Sequence, residues 1–309
     1  CIRDRYKYFQ SFLDLCLSRF SIKFYIPFLF LQQYRSPKRN KAKMANDINL
    51  ECKIVVEIVD MKDETRVKIK SILMSFVKSI VEVPYSVEEL KRAYPFHSLV
   101  FPGEAIKAFK KQRSVVTRMG QRLIPQLAEI IAKDQYREVY RDYDIVGRLD
   151  IAKINVIDRI IDELRTGRRE PDHESEIREI FEASSGKTRE VRVIADLFVG
   201  DFKPGPLFLE IKSPLPNLDV CAESKRKMLI FQALFENKNP QAFLALYYNP
   251  HFPREYRHWA TRRIMDLSKE VLIGEAMWNK LGGEGTYEEL LSIIEEVRRE
   301  VAKSKQAQT

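Results

Sequence analysis

Cysteine is scarce in this chain and badly placed for cross-linking. Its 309 residues include four, Cys1, Cys16, Cys52 and Cys221, and no two have C-x-x-C spacing. That excludes a disulfide framework and a cysteine zinc knuckle, and the expectation is a reduced, cytoplasmic protein. The histidines, His97, His173, His251 and His258, are scattered with no carboxylate or cysteine pattern, which argues against any other zinc site. Long apolar runs are missing too. Phe20 to Leu31 is interrupted by Lys23 and Pro27, far short of the roughly 20 apolar residues a spanning helix needs, so no membrane partner is expected. There is no G-x-x-x-x-G-K run, hence no phosphate-binding loop, and no internal repeat.

What is present is enough apolar sequence, 45%, for one large α/β domain or a core with a smaller helical partner. The net charge of +9 is concentrated at one end. Residues 1–43 hold ten Lys and Arg against Asp4 and Asp14, and the remainder is nearly neutral, so charge by itself is a weak sign of nucleic-acid binding. The first methionine is Met44, followed by Ala45, Asn46 and Asp47. Met44 is the expected start, with residues 1–43 a disordered basic leader of translated upstream sequence.

Hydrophobic spacing predicts a helix from Met61 to Val81, stopped by Pro84, and a short helix from Ser86 to Tyr94 with Ser86 as N-cap and Glu89 three residues on. Glu104 to Lys133 reads as a long helix broken near Pro125, and Ile151 to Leu164 as an amphipathic helix closed by Gly167 and a polar loop. The period then changes to two: Val191, Val193, Ala195, Leu197 and Val199 alternate as in a strand. After a turn rich in Gly and Pro comes a second strand, Leu207 to Lys212, then a helix from Asp219 to Phe235 and a buried strand from Ala242 to Tyr248. Charged helices are expected over Glu255 to Glu270 and Tyr287 to Lys303. The division expected is a helical region at 44–103, an α/β core with inserted helices at 104–250 and a C-terminal helical region at 251–309.

Glu210 and Lys212 share one face of the second strand, because side chains alternate. Asp196 lies on the preceding strand, which the turn at 200–206 would fold back beside it. Carboxylates in an apolar strand are costly unless a cation compensates, so two of them with a lysine invite a metal. Mg²⁺ suits such hard oxygen ligands. Asp196, Glu210 and the backbone carbonyl of Ile211 would hold it, and Lys212 would orient a water or offset charge on a phosphate. E-x-K triplets are common, and this chain has five. Glu89/Lys91, Glu223/Lys225 and Glu236/Lys238 fall on predicted helices, where i and i+2 do not share a face. Glu51/Lys53 lacks a partner strand with a usable aspartate. Only Glu210/Lys212 has the right context, against the plain alternative of an exposed charged strand.

The run Ile194-Ala-Asp196-Leu197, followed by Phe208-Leu-Glu210-Ile-Lys212-Ser-Pro-Leu-Pro-Asn217, resembles the active-site block of type II restriction endonucleases of the TdeIII group, within the PD-(D/E)XK nuclease superfamily. Pro95-Phe-His97 and the helix after it resemble that group's N-terminal part, and the resemblance covers Asp63 to about Leu267. It implies a restriction-endonuclease-like mixed sheet flanked by helices, with residues 104–250 as a nuclease core. It also implies a Mg²⁺-dependent homodimer that cuts double-stranded DNA at a short G·C-rich palindrome, GGNCC in named members, and a DNA methyltransferase encoded nearby. Ala195 stands where the motif's name has Pro, a change that removes no ligand. Glu129 reads as a solvated helix residue, Gln232 as surface and Phe235 as core, although RecB-like nucleases place a Gln and an aromatic similarly.

For DNA contacts, Lys225, Arg226 and Lys227 begin the helix after the lysine strand, near enough to reach flanking phosphates. Arg254, Arg257, Arg262 and Arg263, interleaved with Tyr256, His258 and Trp259, form a second basic stretch. Competing functions are a repair or recombination nuclease with the same triad and a non-catalytic DNA-binding protein.

Overall fold

The computed structural model describes residues 61–81 and 86–306. The basic leader, Met44 and the Glu51/Lys53 pair lie outside the described residues. A five-stranded mixed sheet forms the centre, in the order β1 (Val139–Asp150), β2 (Thr188–Val199), β3 (Leu207–Lys212), β4 (Gln241–Leu246) and β5 (Val271–Ile273). The pairs β1–β2 and β2–β3 are antiparallel, while β3–β4 and β4–β5 are parallel. This is the mixed α/β architecture the resemblance implied.

Helices cover both faces. On one, α1 (Asp63–Val81), α5 (Ile124–Gln135), α10 (Glu275–Gly282) and α11 (Thr286–Gln306) pack on Leu207, Leu209 and Ile211 of β3 through Ile69, Leu127, Trp278 and Ile293. On the other, α6 (Ile151–Thr166), α7 (His173–Glu182), α8 (Leu218–Leu234) and α9 (Trp259–Ile264) cover Phe208, Leu244 and Leu246 with Ile157, Ile180 and Phe231. The alternation read from the β3 sequence therefore holds: its odd residues go to one core, and Phe208 goes to the other.

Smaller expectations also meet their physical cause. Ser86 caps α2 (Val87–Ala93), accepting from the Glu89 amide. The long helix is interrupted, with α3 (Pro95–Ser98) before α4 (Gly103–Arg118) and a π-helical turn at Met119–Leu123 between α4 and α5, so the break precedes Pro125. Gly167 ends α6 in the left-handed region at φ 76.

Three elements depart from the sequence pattern. β1 presents Arg141, Asp142, Asp144 and Arg148 along an edge strand and buries only Val139, Ile145 and Leu149, so it lacks a clean period of two. The helix α7 begins at the N-cap Asp172, inside what reads as a polar loop. The expected helix from Glu255 to Glu270 contracts to α9, because Asp266 turns the chain by accepting from Ser268 and the strand β5 follows.

No helix among the described residues is long and apolar enough to cross a membrane.

Candidate active site

β2 and β3 pair at Val199↔Leu207, Phe198↔Phe208 and Leu197↔Leu209, and there the ladder stops. The next position in register sets Asp196 opposite Glu210. Asp196 takes over from the ladder: its Oδ2 accepts the Ile211 amide at 2.7 Å, in place of a β2 carbonyl, and the Lys212 ammonium at 2.8 Å. On its other side Asp196 faces Asp142 of β1, also unpaired and at φ 48, between the pairs Arg141↔Leu197 and Tyr143↔Ala195. The sheet thus opens locally around one carboxylate. Val193, Ala195 and Phe198 belong to one core while Leu197 and Val199 belong to the other, so the alternation of β2 shifts phase at Asp196.

Lys212 bridges the two acids, with its Nζ also 2.7 Å from Glu210 Oε1. Glu210 is 1% exposed, whereas the side chains of Asp196 and Lys212 keep 25% and 27% of their surface. Burial, and then the negative charge of Asp196, pushes the Glu210 carboxyl above its ordinary pKa, with Lys212 and Lys227 pulling the other way. Burial pulls the Lys212 ammonium down, but Glu210 and Asp196 more than offset it and hold the group above its usual value.

A fourth member comes from α8. Lys227 Nζ donates to Glu210 Oε1 at 2.9 Å. It arrives there because the Ser213–Asn217 tail sets the helix direction: Pro214 O accepts the Tyr256 hydroxyl at 2.7 Å, Pro216 O accepts Cys221 Sγ at 3.8 Å, and Asn217 caps α8 by accepting from Val220. The sequence places Lys227 near the site but not in it. Its signal is the basic run itself, which does not say which of three side chains faces the strand.

Those three residues separate. Lys225 is fully buried and paired with Glu176 and Glu270, so its ammonium cannot reach a phosphate, and the expected DNA contact is corrected to a structural ion pair. Arg226 is paired at the surface with Asp158 of α6, an exposed pair weak enough to exchange for another anion. Arg254 and Arg257 are exposed on the segment before α9. Glu129 pairs with Lys133 and Arg141. Gln232 is buried instead of lying at the surface, its Nε2 3.4 Å from His173 Nε2 in the network around Glu270. Phe235 packs among Phe198 and Phe231, as core.

Among the described residues, two oxygens in the site lack partners. Glu210 Oε2 is buried with no hydrogen bond, and Asp196 accepts both its hydrogen bonds through Oδ2. A residue in an extended strand sends its N–H and C=O to the same side, so the Ile211 carbonyl leaves toward Asp196 with its amide. No group of three or more His, Cys, Asp or Glu able to hold a metal occurs among the described residues. Two carboxylates and one carbonyl nevertheless suit Mg²⁺, which keeps several waters and takes one or two carboxylates plus substrate phosphates.

The family model for the type II restriction endonuclease HinfI matches residues 61–298, a span containing all five strands and the site. Two type II restriction enzymes of Herpetosiphon aurantiacus are similar: HgiCII, 31% identical over 256 residues, and HgiBI, 30% identical over 255, each alignment covering 75% of this chain and 93% of the relative. MjaII of Methanocaldococcus jannaschii, another type II restriction enzyme, is 28% identical over 207 residues, covering 61% of this chain and 54% of MjaII. No solved structure matches. With the family model spanning most of the chain, this protein belongs to the HinfI family of type II restriction endonucleases.

Proposed function

We propose that the protein hydrolyses phosphodiester bonds of duplex DNA at a short G·C-rich palindrome, through Asp196, Glu210 and Lys212 with Mg²⁺. The observation that carries the chemistry is the buried, unbonded Oε2 of Glu210 directly across from Asp196. An uncompensated buried carboxylate oxygen is costly and is satisfied by a hard cation. When bound, Mg²⁺ stabilises charge on the phosphate and lowers the pKa of a coordinated water. Asp196, Glu210 and the Ile211 carbonyl would hold it.

The chain's own groups do the rest. Asp196 is fixed by two donors, so its remaining oxygen is aimed before substrate arrives. Lys212 remains protonated at neutral pH because of its two carboxylates, and it offsets charge on the scissile phosphate or orients the attacking water. Lys227 keeps Glu210 oriented through Oε1 and leaves Oε2 for the ion.

GGNCC, membership of the TdeIII group and descent within the PD-(D/E)XK superfamily belong to the same reading, supported by the Glu210-Ile-Lys212-Ser-Pro-Leu-Pro-Asn217 block. A palindrome requires two sites related by a twofold axis, so the working form is a homodimer, and a host must shield its own sites with a methyltransferase. The test is digestion of a plasmid of known sequence with Mg²⁺ or EDTA. Discrete fragments ending at GGNCC, lost in EDTA, support the reading in full. Discrete fragments at another sequence overturn the site alone. Undigested unmodified plasmid with folded protein would overturn the activity.

A further inference from the structure

Outside the carboxylate pair, a strongly basic concavity lies where the C-terminal end of α6 meets the start of α8. A cavity of about 460 Å³ is lined there by Arg165, Leu218, Arg257, Trp259, Arg262 and Arg263. One acid, Glu170, stands against these four guanidinium groups.

Two of the four are already engaged. Arg165 pairs with Asp219 at 2.5 Å, and Arg263 Nε donates to the Leu164 carbonyl at 3.0 Å. Gly167 makes that second contact possible, since a Cβ there would sit 1.6 Å from the Arg263 guanidinium. Arg257 and Arg262, by contrast, have no side-chain hydrogen bond or ion pair among the described residues, and Trp259 between them in sequence is 66% exposed. Free guanidinium forks bind phosphate bidentately, and an exposed indole offers an apolar face for a sugar or a base.

The cavity is tied to the candidate active site by short, rigid links. Tyr256, 7% exposed, donates its hydroxyl to Pro214 O, two residues beyond Lys212, and bonds Thr261 at 2.9 Å, so the segment carrying Arg257 and Trp259 is anchored to the exit of β3. Leu218, which lines the cavity, is nine residues before Lys227 on α8, about 14 Å along the helix axis.

We propose that Arg257, Arg262 and Trp259 form a seat for a backbone phosphate of the duplex that flanks the bond cut. This seat takes the flanking role that the buried Lys225 cannot fill. The inference rests on the DNA substrate proposed above, and it assigns the flanking contact to named residues outside the catalytic group.

The test uses the full chain. Duplex binding is measured in EDTA across a salt series, and cleavage in Mg²⁺, for wild type, the double variant Arg257→Gln with Arg262→Gln, and Trp259→Ala. The double variant is expected to bind at least about tenfold more weakly and to raise KM similarly. Its log–log salt slope becomes shallower by about 0.9 for each phosphate that is no longer neutralised. Its kcat at saturating DNA stays within about twofold of wild type. Trp259→Ala weakens binding with the salt slope unchanged. A double variant with wild-type affinity and slope overturns the seat while the nuclease reading stands. A collapse of kcat at unchanged affinity also overturns it, by moving these residues into catalysis. A wild-type protein that neither binds nor cuts any duplex overturns the seat and the nuclease reading together.

Discussion

Two clusters in this fold have the same ingredients, a pair of carboxylates and lysine, and they draw on lysines two residues apart. Lys227 points to Glu210, beside Asp196 and Lys212, while Lys225 points to Glu176 and Glu270, because i and i+2 lie on different faces of α8. In the Lys225 cluster every carboxylate oxygen faces a cation or a backbone donor, although Glu176 Oε2 is held by its ion pair alone. Glu270 accepts from Lys225 with both oxygens, from the Asp266 amide at 2.8 Å and from His173 at 3.0 Å, and Glu176 Oε2 faces the ammonium at 2.5 Å. The Glu210 cluster is open: one oxygen is buried and unbonded, and Asp196 and Lys212 are partly exposed. What distinguishes a structural charge cluster from a reactive one is therefore unfinished satisfaction. The first keeps the sheet and helices together; the second leaves a buried carboxylate oxygen without a partner.

The largest effects should fall on the two clusters in opposite ways. Asp196→Ala or Lys212→Ala should lower cleavage by about a hundredfold to a thousandfold, the scale of removing a preorganised charge, in protein that is still folded without urea. A variant that loses cleavage and folding together would make the site structural. Lys225→Met should do the reverse, destabilising by about 3–5 kcal/mol as two buried carboxylates lose their cation, while the folded fraction cuts at the wild-type rate. Urea unfolding monitored beside specific activity separates the two outcomes.

The deficit of Lys225→Met should also depend on pH. In the wild type, burial opposes ionisation of Glu270, but Lys225 and His173 overcome it and hold the carboxyl below its usual 4.5. That contribution is present above pH 4.5 and is lost as the pH falls through the depressed value. Without Lys225 both acids are pushed up by burial, as Glu176 already is, so the variant loses stability as pH rises. The gap between the two proteins should thus be widest near neutrality and shrink as the pH drops below about 4.5. A gap constant from about pH 4 to 7 would mean that the deficit does not come from pairing with the ionised Glu176 and Glu270.

The split between Lys225 and Lys227 also marks how far the sequence can be read. The period of two in Leu207–Lys212 and the aspartate on the strand just upstream are local, and they place Asp196, Glu210 and Lys212 together without knowledge of any helix. Which of Lys225, Arg226 and Lys227 faces the strand depends on the angle of α8 to the sheet, set by Pro214, Pro216 and Asn217 through contacts with residues up to 42 positions away. Glu270 reads as the end of a charged surface helix, and only its distant partners, 45 and 97 residues off, make it core. β1 is hidden because an edge strand protects itself with charge, and that erases the pattern by which strands are recognised.

The smallest expected effect is the most direct measure of openness. Burial and Asp196 hold the Glu210 carboxyl above 4.5, so its stabilising contribution is full below that pH and is lost as pH rises through the folded value. In EDTA the buried Oε2 has no partner, and Glu210→Gln should relieve that cost, raising stability by about 1 kcal/mol, as substitutions in strained active sites commonly do. Lys212 is not orphaned by the change, since Asp196 remains 2.8 Å away. Mg²⁺ should stabilise the wild type, by about 1.4 kcal/mol at roughly ten times its Kd, and leave Glu210→Gln nearly unmoved. Thermal melts with and without the ion report both differences. A Glu210→Gln protein less stable than wild type in EDTA would show that Glu210 is satisfied as Glu270 is, and the distinction between the two clusters would collapse.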